Sequence, residues 1–187
     1  MTATKHTLVA LVADQPGVLN RISSLFRRRG FNMESVTVGH SEVPNCSRLT
    51  IVVDGSTTSI EQVRKQLDKV VDVIKVSEIS GDSIVAREMA LIKVKSNSAN
   101  RGEIIEIADL FRASIVDVAS ESLTICVTGN EEKIDTLIQL LRGFIIKEIA
   151  RTGRVAMSRG EIGPLGAVSG VSRRQDRGPK FGGSIET

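Results

Sequence analysis

The strongest constraint on the fold of this 187-residue chain is an order of secondary-structure signals that appears twice. Thr7–Ala13 is an apolar run with strand character and no interior breaker, so a strand is expected over 6–13. A helix over 17–29 follows, with Val18, Leu19, Ile22, Leu25 and Phe26 at helical spacing up to a stop at Gly30. Strand 32–40 places Val36 and Val38 on one face and Ser35 and Thr37 on the other. A turn at Pro44-Asn45 leads into strand 47–53, where Leu49, Ile51 and Val53 alternate with Arg48 and Thr50. Thr58 with Glu61 and Ser59 with Gln62 form overlapping capping-box signatures. The helix they open lines up Ile60, Val63, Leu67 and Val70, and strand 73–79 closes the unit.

The pattern βαββαβ then returns. Met89–Lys95 reads as a strand, 100–111 as a helix with Ile104, Ile107, Ala108 and Phe111 on one side, and 115–118 and 123–128 as paired strands. A helix from Gly129-Asn130 carries Ile134, Leu137, Ile138 and Leu141 in phase, and 144–150 returns as a strand. The economical solution is α+β, with two ferredoxin-like sandwiches, each a four-stranded antiparallel sheet with two helices on one face. The expected division is 1–81, 82–159 and a tail 160–187, with the split near Gly81-Asp82-Ser83. Arg151–Arg159, where Val155 and Met157 alternate, predicts one more strand on the second unit. The last 28 residues hold seven Gly and two Pro without apolar periodicity, which reads as a mobile tail or a segment ordered by a partner. Units of this size leave edges and apolar faces to be covered by sheet pairing within or between chains.

Composition narrows function. With 41% hydrophobic residues and no stretch near the ~20 apolar residues of a membrane span, the expectation is a soluble cytoplasmic protein without a leader segment. Cys46 and Cys126 lack neighbouring ligands at metal spacing, and only His6 and His40 are present, so neither a metal nor acid–base catalysis is expected. Arg27-Arg28-Arg29 reads as the cationic last turn of a helix rather than a nucleic-acid patch.

The most informative local feature is Asp14-Gln-Pro-Gly-Val-Leu19, where strand passes to helix. Unpaired N–H groups and the positive end of the dipole favour a small anion there, while Asp14 favours a cation. A free amino acid carries both charges.

Leu11–Arg21 resembles the first loop and helix of an ACT domain. Four further blocks resemble the small, regulatory subunit of acetolactate synthase: Arg29-Gly-Phe-Asn-Met-Glu-Ser-Val-Thr-Val38, Ser47-Arg-Leu-Thr50, Val71–Glu78 and Arg151–Gly160. The resemblance spans 7–160. It implies an N-terminal ACT domain and a related C-terminal domain, and no active site of the chain's own. It also implies a homodimer of side-by-side ACT domains with effector sites at the junction. The expected partner is the acetolactate synthase catalytic subunit, which would carry thiamine diphosphate, magnesium and FAD. The expected role is stimulation of that subunit and feedback inhibition by branched-chain amino acids, valine foremost.

Within that frame the residues take roles. Gly17 lets a carboxylate near the backbone, and the N–H groups of Gly17, Val18 and Leu19 are its donors. Pro16 stiffens the loop, and Asp14 is placed to meet the ammonium. Asn32 can serve either end of a zwitterion, and Met33 with Leu19 can wall an aliphatic side chain. Each has a plainer role as cap, turn or core residue.

Rival classes fit less well. A phosphate-cleaving enzyme on this fold needs a cation in the first loop, and none precedes Arg21. RNA-binding sheets present aromatics, whereas the central strands 6–13 and 47–53 have none. A free-standing ACT-type amino-acid-sensing regulator of another enzyme or a transcriptional partner would share the loop but needs its own output element.

Overall fold

The computed structural model describes residues 5–56, 59–79, 84–160 and 163. The first unit consists of β1 (Lys5–Ala13), α1 (Val18–Arg29), β2 (Met33–His40), β3 (Cys46–Asp54), α2 (Ile60–Leu67) and β4 (Val73–Glu78). Its antiparallel sheet has the order β2-β3-β1-β4. The second unit repeats the plan with β5 (Ile84–Lys95), α3 (Arg101–Leu110), β6 (Ser114–Ala119), β7 (Ser122–Gly129), α4 (Glu131–Leu141) and β8 (Ile146–Arg151), in the order β6-β7-β5-β8. A ninth strand, β9 (Val155–Ser158), pairs with the first residues of β5. The α+β reading of two ferredoxin-like units therefore holds. The expected split at Gly81-Asp82-Ser83 and nearly all of the tail past Gly160 lie outside the described residues.

Helix α1 shows how the local chemistry works. Val18, Ile22, Leu25 and Phe26 fall on one face and are buried. Gly30, at φ 66°, ends the helix, because only glycine enters the left-handed region without penalty. Its N–H donates to Arg27 O and that of Phe31 to Phe26 O, and the rings of Phe31 and Phe26 meet edge-on with centroids 5.8 Å apart. Arg27, Arg28 and Arg29 fill the last turn, as the dipole reading expects.

Other expectations shift. Ser59 precedes α2 but its side chain makes no capping hydrogen bond, while Thr58 lies outside the described residues. At α4 a side-chain cap does form, with Asn130 accepting from Lys133 N at 3.2 Å. Val36 and Val38 register with the inward-facing Ile51 and Leu49, yet both stay about half exposed because β2 is the sheet edge. In β9 the alternating Val155 and Met157 face outward, and the buried residue is Ala156.

Ala156 matters because of β1. Leu8, Ala10 and Val12 pack under α1 and α2, while Val9 and Leu11, on the opposite face, are also buried. The cover for that second face is Ala156 with Ile84 and Ala86 of the β5–β9 ribbon, joined by Cys46, Ile79 and Val43. Arg48 adds a hydrogen bond to Ala156 O at 3.0 Å. The second unit's core, around Ile92, Ile125 and Ile134, is separate.

A carboxylate placed in that seam must give up its water among apolar neighbours, and the Arg48 guanidinium beside it is already engaged with the Ala156 carbonyl. Ala156→Asp is expected to lower the unfolding free energy by ~3 kcal/mol or more, read as an earlier urea midpoint. An unchanged midpoint would show that the ribbon does not cover β1 in solution.

Candidate functional site

The loop 14–17 is tied down by its backbone. Ala13 N donates to Asp72 O and Asp14 N to Asn45 O, both at 2.9 Å, and Gln15 N donates back to Ala13 O at 3.0 Å. Gly17 stands at the helix start with φ 88°, and nothing lies within 4 Å of where its Cβ would be. The loop surface over Gly17 is thus open, and the left-handed backbone accounts for the glycine.

Val18 N donates weakly to Gln15 O at 3.4 Å, whereas the N–H groups of Gly17, Leu19 and Asn20 have no acceptor among the described residues. No acidic residue stands in the first turn of α1, so the positive end of its dipole is uncompensated. The Val18 side chain belongs to the core, as its helical spacing expects, while Leu19 is about half exposed. Pro16 is exposed beside it.

Asp14 is half exposed and already has neighbours: Ser47 Oγ donates to it at 3.3 Å, and His40 Nδ1 lies 3.3 Å away. Arg21, one turn into α1, donates through Nε to the nearly buried Asp72 at 2.5 Å and pins the helix to the segment before β4. These contacts cross between distant segments, and no periodicity in the sequence announces them. The one available signal is register, since His40 pairs with Ser47 and Ala13 with Cys46.

Asn32 and Met33 are elsewhere. Met33 pairs with Val53, seven residues along β3 from the Cys46 that pairs with Ala13, which places it ~23 Å from the loop. Asn32 is exposed at that far end, and Met33 is half buried against the first core. Within one chain the structure groups Asp14, Pro16, Gly17 and Leu19 and leaves Asn32 and Met33 apart. Neither of two surface cavities is lined by residues 14–19. One of about 740 Å³ runs between α1 and α2 past Arg28 and Lys69, and one of about 540 Å³ sits between the two units near Lys5 and Arg154.

The matching loop of the second unit is closed by its own side chains. Arg101 donates to Ser96 Oγ (3.1 Å), Ala119 O (2.8 Å) and Ser120 O (2.9 Å), and Ser96 is fully buried. Asn97 and Asn100 use their side-chain oxygens on the loop's own N–H groups. What is open beside Gly17 is filled here.

Residues 8–75 match the family of AHAS small subunit-like ACT domains, and this defines the class: an ACT-domain regulatory protein. Residues 87–160 match the family described as the small subunit of acetolactate synthase. The chain is 54% identical to a probable acetolactate synthase small subunit of Archaeoglobus fulgidus, over 83% of this chain and 98% of that one. It is 52% identical to the acetolactate synthase small subunit of Mycolicibacterium smegmatis, over 84% and 93%. The crystal structure of the acetolactate synthase small subunit from Thermotoga maritima superposes with a TM-score of 0.79 at 44% identity, covering 85% of this chain and 99% of that one. The chain belongs to the acetolactate synthase small-subunit family, and is a regulatory subunit whose partner is the large subunit. Among the described residues no helix is long and apolar enough to cross a membrane.

The two thiols report on this end of the fold. Burial in the seam, and secondarily the nearby Asp14 carboxylate, push the Cys46 thiol above its ordinary range, which lowers its thiolate fraction. At pH 8 a disulfide reagent is expected to modify the half-buried Cys126 at least about tenfold faster than Cys46. Asp14→Asn should speed Cys46 only slightly, because burial is the larger cause. Equal rates in the native protein would contradict a packed seam.

Proposed function

We propose that this chain stimulates the catalytic subunit of acetolactate synthase and confers feedback inhibition by a branched-chain amino acid, with valine as the foremost candidate. Thiamine diphosphate, magnesium and FAD belong, in this reading, to the catalytic partner. The effector carboxylate sits over Gly17, facing the free N–H groups at the start of α1, and its ammonium meets Asp14.

One observation carries the reading: the open glycine-led helix start belongs to a sheet that has β2 at one edge. Antiparallel pairing of β2 with β2 of a second copy sets the Met33 end of one strand beside the His40 end of the other. Asn32 and Met33 of one protomer then approach the Asp14–Leu19 loop of its partner, and the separation within one chain becomes a site across two. The exposed Leu19, Val36 and Val38 lie on the helix side of that edge and supply the apolar part of the interface. A ligand spanning two protomers favours the arrangement it fits and acts on the catalytic subunit through that difference in affinity.

Titration calorimetry with valine, leucine and isoleucine ranks the effectors directly. A pocket of aliphatic walls separates ligands differing by one methylene by only ~1–3 kcal/mol. Asp enters the left-handed region more readily than most residues, so Gly17→Asp is expected to fold and to retain stimulation. Its added carboxylate repels that of the effector, and feedback should weaken by more than about tenfold. Inhibition at the wild-type valine concentration would remove the site from this loop. Val36→Lys is expected to shift the chain toward monomer in sedimentation, and an unaltered dimer would place the contact elsewhere.

A further inference from the structure

The turn Thr152-Gly153-Arg154, between β8 and β9, presses on the edge strand β2 too closely for any side chain at its apex. A Cβ on Gly153 would stand 2.5 Å from Thr37 Oγ1, 3.2 Å from Ser35 Cβ and 3.3 Å from Val36 O. Gly153 does not have a positive φ, so space and not backbone conformation demands the glycine. Thr37 Oγ1 is buried with no hydrogen-bond partner among the described residues. Its hydroxyl packs under the turn.

A second contact reaches the same strand through charge. The register of β2 against β3 shifts between Met33 and Ser35, which leaves Glu34 in a bulge. Its carboxylate meets Lys5 Nζ at 2.9 Å, and Lys5 Nζ also meets Glu131, at the start of α4, at 2.5 Å. Arg154 joins that cluster from the other side, with one nitrogen 2.9 Å from Glu131 and another donating to Thr7 Oγ1 of β1 at 3.2 Å. Arg154 is only 17% exposed, so this pair is screened less than a surface one. The cations and carboxylates lining the cavity of about 540 Å³ are thereby engaged with one another, which argues for a joint and not a ligand pocket.

We infer that Gly153 and Arg154 are positioning residues for the effector response, holding β2, and with it Asn32 and Met33, against the C-terminal domain. The inference rests on the effector reading above and adds its route. A strand carrying part of the site at one end cannot shift without either pushing the glycine turn or pulling the Glu34–Lys5–Glu131–Arg154 chain. Close packing transmits the push and the ion pairs transmit the pull. Displacing β2 lowers the fraction of dimers ready to take the effector, and the apparent affinity falls by that fraction.

The test uses the full chain, reconstituted with its catalytic subunit, and reads valine binding by calorimetry, half-inhibition by valine, stimulation without valine, and melting temperature. Gly153→Ala is expected to raise the half-inhibitory valine concentration and the dissociation constant about tenfold, with stimulation changed less than about twofold. Removing the obstructing hydroxyl makes room for the methyl group, so Thr37→Ala combined with Gly153→Ala should recover most of the loss. Gly102→Ala, whose Cβ meets nothing within 4 Å, is the neutral control. Should Gly153→Ala fail to fold, Arg154→Gln is expected to weaken inhibition severalfold and Arg154→Lys to restore part of it. If the melting temperature falls while valine binding and inhibition stay at wild-type values, the contact is merely structural and the inference is overturned. If the wild-type chain itself neither binds valine nor responds to it, the effector reading fails first and this inference with it.

Discussion

The architecture depends on covering β1 on both faces. From Leu8 to Val12 the strand carries no polar side chain, and all five residues are buried. An antiparallel sheet with helices on one side leaves its other side to water, and such a strand cannot tolerate that. The β5–β9 ribbon is the remedy. It brings Ala156, Ile84 and Ala86 over Val9 and Leu11 and makes one packed unit of two repeats that could otherwise drift. Strand β5 is long for the same reason: its first residues serve the seam through β9, and the rest serve the second sheet through β7 and β8.

That arrangement leaves β2 as one edge of the first sheet, with β4 as the other. Among the described residues no strand lies along its outer margin, while its sheet face rests on the turn at Gly153. In the proposed dimer a single strand therefore borders both the pairing of two chains and the packing of two domains within one chain. Regulatory proteins need elements of this sort, held firmly enough to keep one position and connected widely enough that the position matters elsewhere. The electrostatics agree: α1 begins without a carboxylate and ends on three arginines, so its two ends differ sharply in what they attract.

Much of this was legible in the residues. Both helical faces of the first unit, the order of strands and the stop at Gly30 follow from spacing and from glycine's freedom, which are local properties. The loop at Asp14–Leu19 was legible for the same reason. What escaped was set by contacts between distant segments. Ser59 has the chemistry of a cap and makes no capping bond, since a motif states capability and not geometry. Val155 and Met157 alternate as inward residues would, yet Ala156 between them is the buried one, because that face of the ribbon is the one turned onto Val9 and Leu11. Val18 offers its N–H to a ligand by its place in the sequence, but in the fold that group reaches back weakly to Gln15 O. The partners of Asp14 and the closeness of Gly153 to Thr37 depend on how hairpins and domains meet, which no window of sequence contains.

The side chain of Arg101 has a consequence for dose response. By plugging the second repeat, it leaves each chain with one vacancy of this kind instead of two. In the proposed pair of protomers there are then two sensors and not four. Because a Hill coefficient cannot exceed the number of interacting sites, output from such a pair can vary with metabolite level no more steeply than the square. Within that proposed pair, the Arg101 guanidinium thus limits how steeply inhibition follows the effector.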